Sequence, residues 1–296
     1  MKIAAYVGSK DEAELIRPML ANLRDIGVDH IIASDAGSQD GTAEILMDFA
    51  RVPGFDYMPY DDMNLDPDHE VRATQDIITR AEQAGAEWLL FLDADEFPLP
   101  KGGLLRDVAG LHTADALVID RYNVPLLASG PAIDLPLGAT SRADVLLYAP
   151  SEARPVTQSR VRGDADAPWI AAIPAPKLMM RLNRGLFPRE GQHGVTAPDG
   201  TTPVVSTPRD LIIAHVPFST AARFARKMAN VEAIYTATGH HWGPDSAWHW
   251  RRWMDNIAER GGVSGEIARN RVTAEELAAL RQAGVVRSAA EVWGRR

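Results

Sequence analysis

The sequence contains no cysteine. Disulfides, thiolate metal centres and cysteine nucleophiles are therefore excluded. It also lacks any apolar run approaching the ~20 residues that cross a bilayer. The short apolar stretch from Ile3 to Val7 gives way at once to Ser9-Lys10-Asp11-Glu12, too soon for a signal-peptide core. Basic residues are in short supply, 31 Lys and Arg against 40 Asp and Glu, a formal net charge of −9. A reader of long nucleic acid needs a basic face, so nucleic acid is not an expected partner. Internal repeats and low-complexity segments are absent too. These absences leave a cytoplasmic enzyme as the expectation, with peripheral contact at the inner membrane face left open.

What is present is ordinary globular material, 46% hydrophobic and 24% charged. A chain of 296 residues suffices for one large α/β domain, or a medium domain with a helical appendage. The first 120 or so residues alternate strand and helix signals. Ile3 to Val7 reads as a buried strand. A helix is expected over 11–26, with Leu15, Ile16, Met19, Leu20, Leu23 and Ile26 on one face and Gly27 as its stop. Val28 to Ala33 is the next strand, followed by a helix carrying Ile45, Leu46 and Phe49, capped by Ser38 or Asp40. A weak strand over Phe55 to Met58, a helix over 69–84 and a strongly apolar strand over 87–92 complete the pattern, with another strand over 116–120.

This β-α-β-α order predicts a mainly parallel, doubly wound sheet with helices on both faces. Ligands bind such sheets at the carboxyl ends of the strands. Asp11-Glu12, Asp35 and Asp93-Ala94-Asp95 all fall at such ends. Residues 122–210 are rich in Pro and Gly and read as irregular strands and long loops, with strands at 177–181 and 211–215. From Ser219 onward the pattern is helical, broken at Gly239 and at Gly261-Gly262.

Asp93 and Asp95 place two carboxylates one residue apart, and extended backbone would point both to one side. Such a pair calls for a cation, and hard oxygen ligands suit Mg²⁺ or Mn²⁺. A cation there can bridge a diphosphate and stabilise it as it leaves.

Residues 1 to ~100 resemble a family 2-type glycosyltransferase of the GT-A fold. Asp11-Glu12 resembles the Asn-Glu of its first strand–helix turn. Asp35-Ala36-Gly37-Ser38-Gln39-Asp40-Gly41-Thr42 is similar to its Asp-x-x-Ser-x-Asp-Gly-Thr signature. Asp93-Ala94-Asp95-Glu96-Phe97 resembles the Asp-x-Asp-Glu-Phe variant of a bacterial subgroup.

The resemblance implies a GT-A domain over 1–218, with a nucleotide-binding half (1–120) and an acceptor half (121–218). A C-terminal helical extension (219–296) would pack on the same domain. It implies a metal-dependent transfer of a sugar from a nucleoside diphosphate donor, UDP by preference, to a saccharide, lipid-linked or other hydroxyl acceptor, with inversion, as in polysaccharide assembly. Asp35 would hydrogen-bond the base. Asp11 and the backbone at Val7 and Gly8 would line the same pocket, and Arg72 would lie near the sugar or base. Asp93 would face the ribose or the metal, and Asp95 would ligate the metal, with His215 as a further ligand. Glu190 is the expected catalytic base, ahead of Asp164 and Asp166. Glu96, His193 and Lys227 are further candidates, His193 as a metal ligand or diphosphate contact and Lys227 near the phosphates. Two other classes share this architecture. A sugar nucleotidylyltransferase would open with a Gly-rich loop that Val7 to Glu12 lacks. A non-catalytic nucleotide-sugar or carbohydrate-binding protein would need no metal ligands. The Trp242, Trp248, Trp250 and Trp253 cluster, with His240, His241 and His249, reads first as packing of the C-terminal layer.

Overall fold

The computed structural model describes residues 1–64, 66, 68–150, 158–238 and 247–294. The first half builds β1 (Ile3–Ser9), α1 (Ile16–Asp25), β2 (His30–Asp35), α2 (Thr42–Phe49), β3 (Phe55–Pro59), α3 (His69–Gln83), β4 (Trp88–Asp93), β5 (Glu96–Pro100), β6 (Ala116–Ile119) and β7 (Arg121–Asn123). Short pieces follow: β8 (Leu126–Leu127), β9 (Gly130–Pro131), β10 (Leu146–Tyr148), α4 (Gln158–Gly163), β11 (Lys177–Arg181), β12 (Phe187–Pro188), β13 (Val195–Thr196), β14 (Val205–Ser206) and β15 (Leu211–His215). The chain ends with α5 (Ala221–Thr238), α6 (Trp248–Glu259), α7 (Gly262–Asn270), α8 (Ala274–Gln282), β16 (Val286–Ser288) and α9 (Ala289–Val292).

The fold is a mixed α/β one. Its main sheet has seven strands in the order β14-β6-β11-β4-β1-β2-β3. The β4-β1-β2-β3 run is parallel, and β11 lies antiparallel between β4 and β6. Trp88 to Leu92 is buried throughout because both faces of the sheet are covered, which is why that strand reads as one continuous apolar run. One core cluster lies against α1, and a second, on the opposite face, includes Ile77, Ile78 and Ala81 of α3. A three-stranded sheet, β5-β15-β7, extends the layer beyond Asp95. Gly27 ends α1 with φ +85°, and the Val28 N–H returns to the Leu23 carbonyl at 3.0 Å, a close that favours glycine.

Three expectations are corrected. The first helix starts at Ile16, not at residue 11. The N–H groups of Asp11, Glu12 and Ala13 bond the side chains of Ser38, Thr42 and Asp40, and these bonds hold the segment as a loop. Asp40 and Ser38 are not caps of α2, since the cap position is Gly41. Asp40 still serves that helix start, accepting from the Thr42 N–H and hydroxyl. The C-terminal segment is not wholly helical, because β16 pairs antiparallel with β10.

Trp253 packs at the centre of a third cluster with Trp169, Phe218 and Phe224, and Trp248 and Trp250 pack against it. This is the packing role expected of them. Gly239, His240, His241 and Trp242 lie outside the described residues. Among those described, no helix is long and apolar enough to cross a membrane.

Candidate active site

Strand register brings the three acidic ends together. Ser9 pairs with Asp35 and Gly8 with Asp93, so β1, β2 and β4 end on one edge. Val7 is fully buried and offers only backbone there.

Asp35 is 4% exposed at the end of β2. Its Oδ2 accepts from the N–H groups of Gly37 and Ser38, each at 3.1 Å. Its Oδ1 is buried and has no partner. A buried carboxylate oxygen left unpaired costs about 1–3 kcal/mol unless a ligand supplies a donor. Asp11 is committed elsewhere. Its Oδ1 accepts from the Gln39 N–H at 2.7 Å and its Oδ2 from Asn230 of α5 at 2.8 Å. It ties the first loop to the second and to α5. Arg72 stays in solvent on α3 and pairs with Asp66 at 2.7 Å, so the structure does not bring it to the pocket.

Asp93 and Asp95 take different partners. Asp93 is the last residue of β4, and Ala94-Asp95 forms a turn before β5, so extended-chain geometry does not apply. The half-exposed Asp93 accepts from Lys177 at 2.8 Å. Lys177, 2% exposed at the start of β11, also lies 3.5 Å from Glu96. Glu96 is fully buried; it accepts from the Asp93 N–H at 2.8 Å and pairs with Arg121. Glu96 therefore orients its neighbours. Burial pushes the Lys177 ammonium down, but Asp93 and Glu96 outweigh it and keep the charge.

Asp95, 2% exposed, receives Arg223 at 2.9 Å and Lys227 at 3.0 Å, both on Oδ2. Arg223 also forks onto Glu12 at 2.6 and 2.8 Å. Burial opposes ionisation of Asp95, and the Lys227 and Arg223 cations overcome it and hold the carboxyl well below its usual range. Oδ1 of Asp95 faces Nε2 of His215 at 3.6 Å. Asn123 fixes the state of that imidazole. The Asn123 amide donates to the Ile170 and Ala172 carbonyls, each at 3.0 Å, which turns its Oδ1 toward His215 Nδ1 at 2.7 Å. Nδ1 is thus the donor, and Nε2 presents a lone pair to a carboxylate. Burial holds His215 well below its usual pKa, so the ring stays neutral.

Two acceptors facing each other suit a divalent cation. Among the described residues no group of three His, Asp or Glu gathers as a metal cage. Of the three expected ligands, Asp93 is paired with Lys177, while Oδ1 of Asp95 and Nε2 of His215 face each other. Two protein ligands are enough where substrate phosphates and water complete the shell, as is usual for Mg²⁺. Lys227 sits beside this pair, on the other oxygen of Asp95.

His193 and Glu190 lie in the loop after β12. Glu190 is exposed and lines a cavity of about 340 Å³ with Glu70, Thr74 and Gln192. His193 donates its Nδ1 hydrogen to the Pro176 carbonyl at 2.7 Å. Sequence reasoning missed Lys177, Arg121, Asn123 and Arg223. The spacing of Arg223 and Lys227, one helical turn apart, was the available signal for Arg223.

No family model matches the chain, and no curated protein matches it. Among solved structures the chain is similar to TarS of S. aureus, at 14% identity and a TM-score of 0.39, over 79% of this chain and 39% of that one. It thus spans well under half of TarS. TarS 1–349 in complex with UDP matches at 14% identity and a TM-score of 0.36, over 79% of this chain and 65% of that one. The bifunctional IspDF of Campylobacter jejuni matches at 9% identity and a TM-score of 0.30, over 62% of this chain and 42% of that one.

Proposed function

We propose that the protein is a metal-dependent glycosyltransferase. It moves a sugar from a nucleoside diphosphate donor, UDP by preference, to a hydroxyl acceptor with inversion. The observation that carries this reading is the His215 Nε2 lone pair set against the Asp95 carboxylate. Mn²⁺ or Mg²⁺ held by those two atoms would neutralise the diphosphate and stabilise its departure.

The chain's own residues do the rest. Asp35 Oδ1, the buried unpaired acceptor, takes the imide N–H of the base. Arg223 holds the Asp95 carboxylate in place by its other oxygen, and Asn123 holds the imidazole. Lys227, partly exposed, is positioned to turn from Asp95 toward a phosphate oxygen. Glu96 and Arg121 keep Lys177 on Asp93. The loop over 187–194 supplies the group that takes the acceptor's proton.

Release of UDP from a panel of UDP-sugars, measured with and without Mn²⁺, tests the proposal. Turnover that requires the cation and falls in Asp35→Asn supports it. Tight UDP binding without turnover of any UDP-sugar points instead to a binding protein.

A further inference from the structure

We propose that His193 is the general base, acting on a neutral polyhydroxyl acceptor seated in the cavity between the first turn of α3 and the loop over 187–192. This rests on the transferase reading above and identifies the group that reading leaves open.

The ring's orientation is set by one bond. Nδ1 lies 2.7 Å from the Pro176 carbonyl, which can only accept. Nδ1 therefore carries the hydrogen, and Nε2 of the neutral ring carries a lone pair. Gly191 keeps a side chain off that atom. Gly191 has φ +67°, and a Cβ there would lie 2.8 Å from Nε2 and 2.9 Å from Cδ2 of His193. The next residue, Gln192, takes φ +53°, a conformation that costs a non-glycine residue energy and concentrates at functional sites. The Arg189 N–H closes the loop onto the Gly194 carbonyl at 2.8 Å.

Pro176 directly precedes Lys177, whose ammonium holds Asp93 at the sheet edge. The imidazole thus stands beside the edge where the donor binds. Burial, with the Lys177 and Arg121 cations, lowers its pKa against the opposing pull of the Pro176 bond and Asp93. It is available as a base near neutrality.

The cavity of about 340 Å³ would seat the acceptor, and Gln192, the residue before His193, forms part of its wall. Glu70, Thr74, Glu190 and Gln192 give it polar walls, and Phe187 and Pro188 give it an apolar one. Burial and then the Glu190 charge raise the Glu70 carboxyl. Hydroxyl donors relieve two facing carboxylates, and an anionic acceptor would be repelled. Glu190 is accordingly a positioning residue that holds acceptor hydroxyls.

In the step itself, the acceptor O–H proton passes to Nε2, giving an imidazolium. The acceptor oxygen bonds the anomeric carbon on the face opposite the diphosphate. The carbon–oxygen bond to phosphate breaks, and its electron pair leaves with the diphosphate. The imidazolium returns its proton to water.

The test uses the full chain as wild type, His193→Gln, Gly191→Ala and Glu190→Gln. UDP release is followed from UDP-sugars with methyl glycosides as acceptor probes. His193→Gln is expected to lower kcat by about 100- to 10,000-fold and to abolish the acid limb of the pH profile. UDP affinity and melting temperature should be kept. Gly191→Ala should lower kcat in the same direction by covering Nε2, and Glu190→Gln should raise KM for the glycoside. The groups that face the imidazole and set that limb are Lys177, Arg121, Asp93 and His249. Near-wild-type kcat in His193→Gln, or loss of the acid limb in Glu190→Gln instead, overturns the proposal. ¹⁵N-imidazole NMR reads the ring without turnover, and an Nε2–H tautomer or an imidazolium at neutral pH overturns it too. Loss of UDP binding by the wild type would contradict the transferase reading itself, a separate outcome.

Discussion

His215 and Asp95 meet as two acceptors, Nε2 to Oδ1 at 3.6 Å, because Asn123 has already taken the imidazole hydrogen on Nδ1. Asn123→Leu removes that anchor and frees the ring to turn. Mn²⁺ affinity in the presence of UDP is expected to fall about 10- to 100-fold, the usual cost of losing a group that orients a metal ligand. Calorimetric titration of the cation checks it. Unchanged affinity would show that the tautomer is irrelevant to cation binding.

Asp35→Asn leaves no satisfactory amide orientation. The two backbone N–H groups of Gly37 and Ser38 need one acceptor, and the unpaired oxygen serves as the second. An amide has only one acceptor to offer, so one side always meets a donor. UDP affinity should drop about 10- to 100-fold, corresponding to about 1–3 kcal/mol for a buried donor left unpaired. Its dependence on Mn²⁺ should persist, since Asp95 and His215 are untouched.

Arg223 is 1% exposed and neutralises both Glu12 and Asp95. Arg223→Met leaves the buried Glu12 without its cation and Asp95 with Lys227 alone, and is expected to destabilise the fold by about 3–5 kcal/mol. Arg226, on the same helix but 38% exposed in its ion pairs, should cost no more than about 1 kcal/mol as Arg226→Ala. Urea unfolding of the two variants decides between them.

His249 is packed against Trp169, Trp250 and Trp253, and burial pushes its pKa from 6.5 down to about 3. The unfolded chain binds this proton first as the pH falls. Stability contributed by the neutral ring is therefore intact above about pH 6.5 and is lost progressively between there and about pH 3. The urea midpoint of His249→Phe should fall less over that range than the midpoint of the wild type. Parallel slopes would show that His249 is not the group responsible.

Much of this was legible in the residues themselves. Trp88 to Leu92 declares a strand buried on both faces, and it delivers Asp93 to the same edge as Asp35 because parallel strands share a direction. The segment over 11–15 misleads for an identifiable reason. Leu15 keeps helical spacing with Met19 and stays buried, yet the side chains of Ser38, Asp40 and Thr42 take the amide hydrogens that a helix would have used. The partners of the two aspartates could not be read locally either. Lys177 lies 84 residues beyond Asp93, and Arg223 lies 128 beyond Asp95. Only the folded chain decides that one aspartate receives a buried lysine while the other turns an oxygen to the lone pair of His215. Likewise β16 is three residues long inside a helical stretch, too short for a period of two to show.

The most direct test of the central claim is a titration of UDP into the wild type and His215→Ala, each with and without Mn²⁺. The account predicts that Mn²⁺ strengthens UDP binding to the wild type by at least about tenfold, or roughly 1.4 kcal/mol. His215→Ala should lose most of that gain while binding UDP as before in the absence of metal. Binding of UDP to the wild type that ignores Mn²⁺ would contradict the account, as would an identical Mn²⁺ effect in His215→Ala.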